Sequence, residues 1–308
     1  MGHKNQQKHS LLHQFKLSLQ DLERFGRKKH QDKADGSYTQ YIYSFSTARA
    51  YMQACAGFAR WCKDNHSCRT IADCRQYVDQ YLAMRIDTCS AYTVKRDAAA
   101  LAKVYGVTGQ KIFMKTPSRQ RKDISRSRGK AIRDAHFSVQ RNSDLISFLR
   151  STGLRRHEAE SLRGTQLESI RGQYFIRIQG TQAKGGRPRL VPVIGEVDTV
   201  VRLMVAAGKE KVFGKIHSAC DVHSYRAEYA AAMYMAYARP YRECMKSKVW
   251  DPEAGKWRSS SVYRCRGERK GEWYDIQAML IVSRALGHNR ISIIAGHYLH
   301  RIYTGRKH

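Results

Sequence analysis

Six side chains in the second half of the 308-residue chain have types and an order suited to phosphate chemistry. They are Arg155, Lys184, His223, Arg226, His288 and Tyr298. Arg155 follows the glycine that ends a predicted helix, and Lys184 lies at the tip of a predicted hairpin. His223 and Arg226 are three residues apart, on one face of a helix. Each is common at an ordinary protein surface, but gathered around one phosphate they would stabilise the negative charge of a transition state.

The hydrophobic pattern predicts the elements that must position these groups. It predicts helices over Asn142–Arg150, from residue 158, over Val222–Arg239, after the N-cap Asp275 and over Ile291–Tyr303. Gly153, Pro240 and Gly287 are expected to end three of them. Alternation of apolar and polar residues predicts two strands, Tyr174–Gln179 and Leu190–Val193, joined by a turn at Gly185 and Gly186.

In this order the groups resemble the catalytic set of the tyrosine recombinases, the phage-integrase-like family. The motifs that carry the resemblance are TGLRRHEAESL, QAKGGRPRLVPV, HSYR, ALGH and HYLH. The resemblance extends from an earlier helical region to the end of the chain. That region contains a WC pair and a QYLAMR stretch and looks like the family's core-binding domain. The resemblance implies a mainly α protein. An all-helical N-terminal core-binding domain would precede an α+β catalytic domain of helices with a small antiparallel sheet.

The activity that the resemblance implies is site-specific DNA recombination through a 3′-phosphotyrosyl intermediate, of the mobile-element integrase type. Tyr298 would be the nucleophile, and its phenol, with an ordinary pKa of about 10, needs a base or nearby cations for activation. His223 would be that base or a proton relay, and Lys184 the acid for the departing 5′ oxygen. Glu158 matches the family's acidic accessory position. Bond energy is retained, so no ATP is expected, and the positive donors around the phosphate would replace a metal cofactor.

Two other classes remain open beside this one. A type IB topoisomerase shares the chemistry but relaxes a single duplex without pairing two sites. A catalytically inactive DNA-binding relative would keep the fold and lose the reaction, although the intact set of six groups argues against it.

Two features depart from the family pattern. The interval from His288 to Tyr298 is one residue longer than usual, and one residue turns a helix by ~100°. A small bulge or a 3₁₀ turn is therefore expected, or else Tyr303 is the nucleophile. Tyr298 is favoured because His300 completes the Y-x-H pattern. The second departure is an insertion at 239–273, which is either a surface excursion or a flap that contacts DNA or a second protomer.

The charge of the chain indicates a polyanionic partner. Lys and Arg number 56 against 26 Asp and Glu, a formal net charge of +30, while 42% of the residues are hydrophobic, enough for a core. Double-stranded DNA with specific recombination sites is the predicted partner. Expected phosphate contacts are Arg119, Arg121, Lys122, Arg126, Arg128, Lys130, Arg187 and Arg189. The family implies a homotetramer on synapsed DNA, with accessory DNA-bending or directionality proteins. No membrane contact is expected, and the predicted location is cytoplasmic and nucleoid-associated.

The sequence divides into four predicted segments. They are a basic N-terminal segment 1–35, a helical DNA-binding domain 36–113, a basic linker 114–133 and a catalytic domain 134–308. The eight cysteines include no CxxC pair. Because five or six residues separate the first four, this spacing is unlike a structural zinc site and favours reduced, partly buried thiols without a metal.

Overall fold

The chain folds into two compact units, Met1–Arg126 and Ser127–His308, each with its own hydrophobic core. The structure is a computed structural model that describes residues 10–27, 29, 31–34, 36–107, 114–119, 137–252, 254–258 and 260–299. The boundary between the units falls within the segment 114–133, in which the sequence predicts a linker.

The first unit is helical. Its helices are α1 (Leu11–Gln20), α2 (Phe45–His66), α3 (Ile71–Cys74), α4 (Val78–Thr88) and α5 (Ala91–Val104). Ser44 and Ser90 start α2 and α5, because each hydroxyl accepts a hydrogen bond from the backbone N–H three residues on. The core includes Phe58 and Leu101, which are fully buried. Within the described ranges, no helix combines the length and the apolar character needed to cross a membrane.

Helix α1 lies inside the predicted N-terminal segment but belongs to the core of the first unit. Leu11, Phe15 and Leu19 recur at helical spacing and are buried, and α1 packs against α2. The ring of Phe15 meets that of Phe58 edge-on at 6.0 Å. Burial of this apolar face therefore makes 11–20 part of the helical unit rather than a separate basic segment.

The second unit combines helices with a small sheet. Its longer helices are α6 (Ser143–Thr152), α7 (Arg156–Ser161), α8 (Val197–Ala207), α9 (Val222–Tyr237), α10 (Tyr241–Lys246) and α11 (Ile276–Leu286). Helix α9 packs against both α6 and α11. Gly153 ends α6 with φ 57°, and a Cβ there would lie 2.3 Å from the ring of Tyr229 on α9. Only glycine allows this approach, which brings the end of α6 against α9.

An antiparallel sheet lies beside these helices in the order β1-β2-β3. The strands are β1 (Leu167–Ile170), β2 (Gln173–Ile178) and β3 (Arg189–Pro192). The last two are the predicted pair, with Ile176 opposite Val191 in register. Strand β1 was not predicted, because its sequence, Leu-Glu-Ser-Ile, does not alternate between apolar and polar residues.

The insertion 239–273 folds into α10 and two hairpins. The hairpins are β4 (Val249–Asp251) with β5 (Lys256–Arg258) and β6 (Val262–Arg264) with β7 (Trp273–Asp275). Cys244 and Asp251 are buried, so the segment is anchored in the unit. The cross-strand pair Trp250 and Trp257 is exposed, at 44% and 64%.

Candidate active site

Arg226 is the buried centre of the candidate site. Its side chain projects from α9 and the residue is 1% exposed. One terminal nitrogen, Nη1, donates to the carbonyl of Gly153, and Nη2 donates to the carbonyl of Leu286 at 2.6 Å. Its Nε donates to Oη of Tyr298 at 3.1 Å. Burial lowers the pKa of Arg226, but a guanidinium stays charged in proteins. The group is therefore a cation held in one orientation by the ends of α6 and α11.

Tyr298 is half-buried and its hydroxyl has two polar neighbours. Besides Arg226 Nε, the Nε2 atom of His288 lies 3.0 Å from Tyr298 Oη. The tyrosine ends a π-helical turn, Ile294–Tyr298, which continues the short helix α12 (Ile291–Ile293). The Leu299 N–H donates to the Ile294 carbonyl at 3.1 Å, the five-residue hydrogen bond of a π turn. Among the described residues, no other tyrosine hydroxyl is hydrogen-bonded to His288.

The sequence predicts one residue more between His288 and Tyr298 than the family pattern has, and a π turn is present in this interval. A bulge or a 3₁₀ turn was expected from the sequence. A 3₁₀ turn is tighter than an α turn and would use fewer residues, whereas a π turn takes up one more. The π geometry is therefore the one that fits an added residue. The rival tyrosine, Tyr303, lies outside the described residues, as does His300.

His288 is placed by the end of α11. Gly287 adopts the left-handed conformation that ends the helix, and the His288 N–H donates to the carbonyl of Ser283 at 2.8 Å. Burial, together with the positive charges of Arg226 and Arg155, lowers the pKa of His288 to about 3. At neutral pH the imidazole is uncharged. The Tyr298 oxygen accepts the hydrogen bond from Arg226 Nε. The protonated Tyr298 hydroxyl can therefore donate its own hydrogen bond to Nε2 of the neutral His288.

Glu158 joins two arginines beneath this cluster. It is 1% exposed on α7 and accepts from the backbone N–H and from Nη1 of Arg155, both at 2.8 Å. Arg189 on β3 donates to the two carboxylate oxygens at 3.0 and 2.8 Å. Burial alone would raise the pKa of Glu158, but the hydrogen bonds and charges of Arg189 and Arg155 lower it to about 2. Glu158 is therefore an ionised anchor for both guanidinium groups.

Arg189 has a different environment from the DNA contact that the sequence predicts. Its side chain is only 8% exposed, and its Nε donates to the carbonyl of Ala285 at 2.9 Å. Sequence reasoning missed its pairing with Glu158. The signal was present in β3, where Arg189 shares a face with the buried Val191.

The remaining predicted residues lie at more open positions. Lys184 is exposed in the connection between β2 and β3, and His223 is exposed on the first turn of α9. Arg187 is exposed and donates to Asn289 Oδ1 at 2.5 Å. In the first unit, the guanidinium of Arg119 lies 5.2 Å from the centre of the Tyr92 ring. The other predicted phosphate contacts, Arg121, Lys122, Arg126, Arg128 and Lys130, lie outside the described residues.

Solved structures resemble most of the chain, although no protein-family model and no curated protein matches it. The XerH site-specific recombinase bound to palindromic difH substrate, in a post-cleavage complex, is 14% identical. That alignment covers 94% of this chain and 91% of the XerH chain, with a TM-score of 0.51. The chain has the tyrosine recombinase fold. A XerH pre-cleavage complex on difH is also 14% identical over 93% of this chain and 91% of that chain, with a TM-score of 0.49.

The recombinase fold confirms the predicted fold class, because the likeness spans both the helical unit and the unit with the antiparallel sheet. Within the second unit, Arg155, Glu158, Arg226, His288 and Tyr298 come from α7, α9, the end of α11 and the π turn. Residues that span 144 positions of sequence thus meet in one cluster, an arrangement that can bind an anion and present a phenol to it.

Proposed function

We propose that this protein is a site-specific DNA recombinase that cleaves and rejoins DNA through a 3′-phosphotyrosyl intermediate. One observation carries the proposal: the hydroxyl of Tyr298 lies 3.1 Å from Arg226 Nε and 3.0 Å from His288 Nε2. A phenol between a fixed cation and a neutral imidazole has both a stabiliser for its anion and an acceptor for its proton.

The first step of the proposed reaction is attack by Tyr298 on a backbone phosphorus. Tyr298 Oη forms a bond to phosphorus, the bond to the 5′ oxygen breaks, and the tyrosine proton passes to a base. The motif order assigns this base to His223, but the distance favours His288 as the first acceptor. His223, exposed on the same helix as Arg226, would then relay the proton or contact the phosphate.

Charge stabilisation in the proposed transition state comes from Arg155 and Arg226. Arg226 uses three of its five N–H groups on protein acceptors, which leaves two for a non-bridging phosphate oxygen. By analogy with other oxyanion donors, each arginine would lower the barrier by about 2.7–4 kcal/mol. Lys184 is proposed to protonate the departing 5′ oxygen, since the exposed β2–β3 connection can approach bound DNA.

Glu158 and Arg189 are proposed to act as positioning residues. The carboxylate of Glu158 holds Arg155, and Arg189 holds Glu158 in turn. Arg189 also donates to the carbonyl of Ala285 on α11, the helix that presents His288. This chain of hydrogen bonds would keep the phosphate donors oriented before DNA binds.

The proposed substrate is double-stranded DNA with specific sites, synapsed by a homotetramer. The net charge of +30 supports binding along the phosphate backbone by both units. With 6–10 phosphate contacts per protomer, affinity would fall about 10³–10⁵-fold between 50 and 200 mM salt. Integration or excision of a mobile element is the proposed biological role, with accessory proteins to set its direction.

A nicked duplex tests the proposal. Sites are first selected from a random duplex library by binding to the full-length protein. The selected site is then synthesised with a nick just downstream of the cleavage position, so that the short 5′-hydroxyl fragment diffuses away and the covalent adduct accumulates. Wild-type protein should form the adduct, and Tyr298→Phe should abolish it while DNA binding in a gel-shift assay is retained.

Tyr303→Phe is the matched control, because it makes the same chemical change at the rival position. Loss of the adduct in Tyr303→Phe with retention in Tyr298→Phe would refute the assigned nucleophile. Joining of two separate site-bearing duplexes distinguishes a recombinase from a topoisomerase, which would relax supercoiled plasmid without site preference. Absence of any adduct with wild-type protein would favour the inactive DNA-binding relative.

A further inference from the structure

Three cysteines converge in the core of the first unit. The Sγ atoms of Cys62, Cys68 and Cys74 all lie within 4.8 Å of one another, and all three residues are buried. The mechanism above uses none of them. A tetrahedral zinc site with Zn–S bonds of about 2.3 Å places its sulfurs roughly 3.8 Å apart, within this limit.

Two local motifs bring these cysteines together despite the absence of a CxxC pair. Cys62 lies in the last turns of α2, Ser67 ends that helix in the left-handed region, and the Cys68 N–H reaches back to the Cys62 carbonyl at 3.4 Å. Thr70 and Asp73 then form a capping box that starts α3, which ends at Cys74. The sequence spacing alone argued against a metal site because it does not reveal this folded corner.

A cavity borders the cysteine cluster at Cys68. It has a volume of about 1020 Å³, lies beside α1 and α2, and includes Cys68 in its lining. Arg60, Lys63 and Arg69 also line it. Three thiolates with one divalent cation carry a net charge of −1, which these basic side chains would compensate. The Asp73 carboxylate nearby already accepts the backbone N–H groups of Arg69 and Thr70.

We infer that Cys62, Cys68 and Cys74 form a zinc site that fastens the α2–α3 corner of the helical unit. Three soft thiolates suit Zn²⁺, and a water would complete its tetrahedral shell. Binding releases three protons as three thiols and one Zn²⁺ give a zinc tris-thiolate with a charge of −1. The site is independent of the recombination chemistry.

The first test measures metal in full-length protein purified with a reductant. We expect about one zinc per chain by elemental analysis. Zinc-free protein titrated with Co²⁺ should develop the thiolate-to-cobalt charge-transfer bands and the visible bands of tetrahedral cobalt. Cys68→Ala should lose the bands and the zinc, whereas Cys89→Ala, which removes a half-buried thiol of the same unit outside the cluster, should keep both.

A second measurement does not depend on how the variants fold. Zinc added to the zinc-free wild-type protein should raise its Tm by several degrees, and a chelator should reverse the shift. Zinc that remains in Cys68→Ala would be held elsewhere, for example by the chain's histidines, and would overturn the inference. So would reduced wild-type protein without cobalt–thiolate bands, or a disulfide between two of the three cysteines in place of the metal.

Discussion

Both carboxylate oxygens of Glu158 accept hydrogen bonds from the guanidinium of Arg189, at 3.0 and 2.8 Å, and the two side chains are almost entirely buried. A buried ion pair of this kind is costly to break from one side, because the remaining charge has lost its partner. The pair also lies under Arg155, which uses the same carboxylate. It therefore couples the stability of the second unit to the orientation of a candidate catalytic arginine.

Replacement of Arg189 tests this coupling. Arg189→Met leaves the Glu158 carboxylate buried with Arg155 as its remaining charged partner, so we expect a loss of about 3 kcal/mol in the free energy of unfolding, the low end for a broken buried pair. Chemical denaturation measures this. Arg187→Met, two residues earlier and exposed, is the matched control and should change the unfolding free energy little. If the two variants are equally stable, Arg189 does not anchor Glu158.

The pH dependence of stability follows from His288 and Glu158. The pKa of His288 falls from its ordinary 6.5 to about 3 in the folded protein, so below pH 6.5 the unfolded chain binds the proton more strongly. The contribution of His288 to the free energy of unfolding should be fully present above pH 6.5 and should decline as the pH falls towards 3. Glu158, lowered from 4.5 to about 2, adds a further loss below pH 4.5.

Thermal unfolding between pH 7.5 and 3.5 checks this prediction. His288→Gln should reduce the slope of Tm against pH between 6.5 and 4.5, the interval above the ordinary pKa of Glu158. His297→Gln, whose exposed ring lies on the same π turn, is the control and should leave that slope larger than in His288→Gln. Equal slopes in the wild type and in His288→Gln would contradict the lowered pKa.

The π turn predicts an asymmetry between deletion and insertion. Deletion of Gly296 removes one residue from Ile294–Tyr298 and allows the turn to return to α geometry, with Tyr298 still facing His288. Adduct formation on the nicked duplex should survive this change. Insertion of one alanine after Gly296 should abolish the adduct, because a further residue rotates the tyrosine by ~100°. Loss of the adduct in the deletion variant alone would show that the π geometry itself is required.

Gly153 predicts a large steric effect near the site. In Gly153→Ala the new Cβ would lie 2.3 Å from the Tyr229 ring, at a residue with φ 57°. Overpacking of about 1–3 kcal/mol adds to a left-handed penalty of about 1–2 kcal/mol. Gly172→Ala isolates the second effect, since Gly172 has φ 79° with no atom within 4 Å of its Cβ position. Unfolding free energies that fall equally in both variants would contradict the close contact.

Local chemistry made several elements predictable from the sequence. Asp275 accepts the Gln277 N–H at the start of α11, and Gly287 ends that helix in the left-handed region, as a capping residue and a glycine stop indicate. The β2–β3 pair followed from its alternation and the Gly185–Gly186 turn, where both glycines have positive φ. The six groups from Arg155 to Tyr298, in their order, carried the resemblance from which the fold class was predicted.

The tertiary structure alone decided which groups meet. The contacts of Arg226 with Gly153, Leu286 and Tyr298 cross 60 or more residues, and no local pattern encodes such distances. The same holds for Arg189, which the sequence predicted to contact DNA and which instead pairs with Glu158 in the fold. It also holds for Cys62, Cys68 and Cys74, which the corner between α2 and α3 brings together. Sequence determines residue types and local turns; packing of distant elements determines which charges are buried and therefore what each can do.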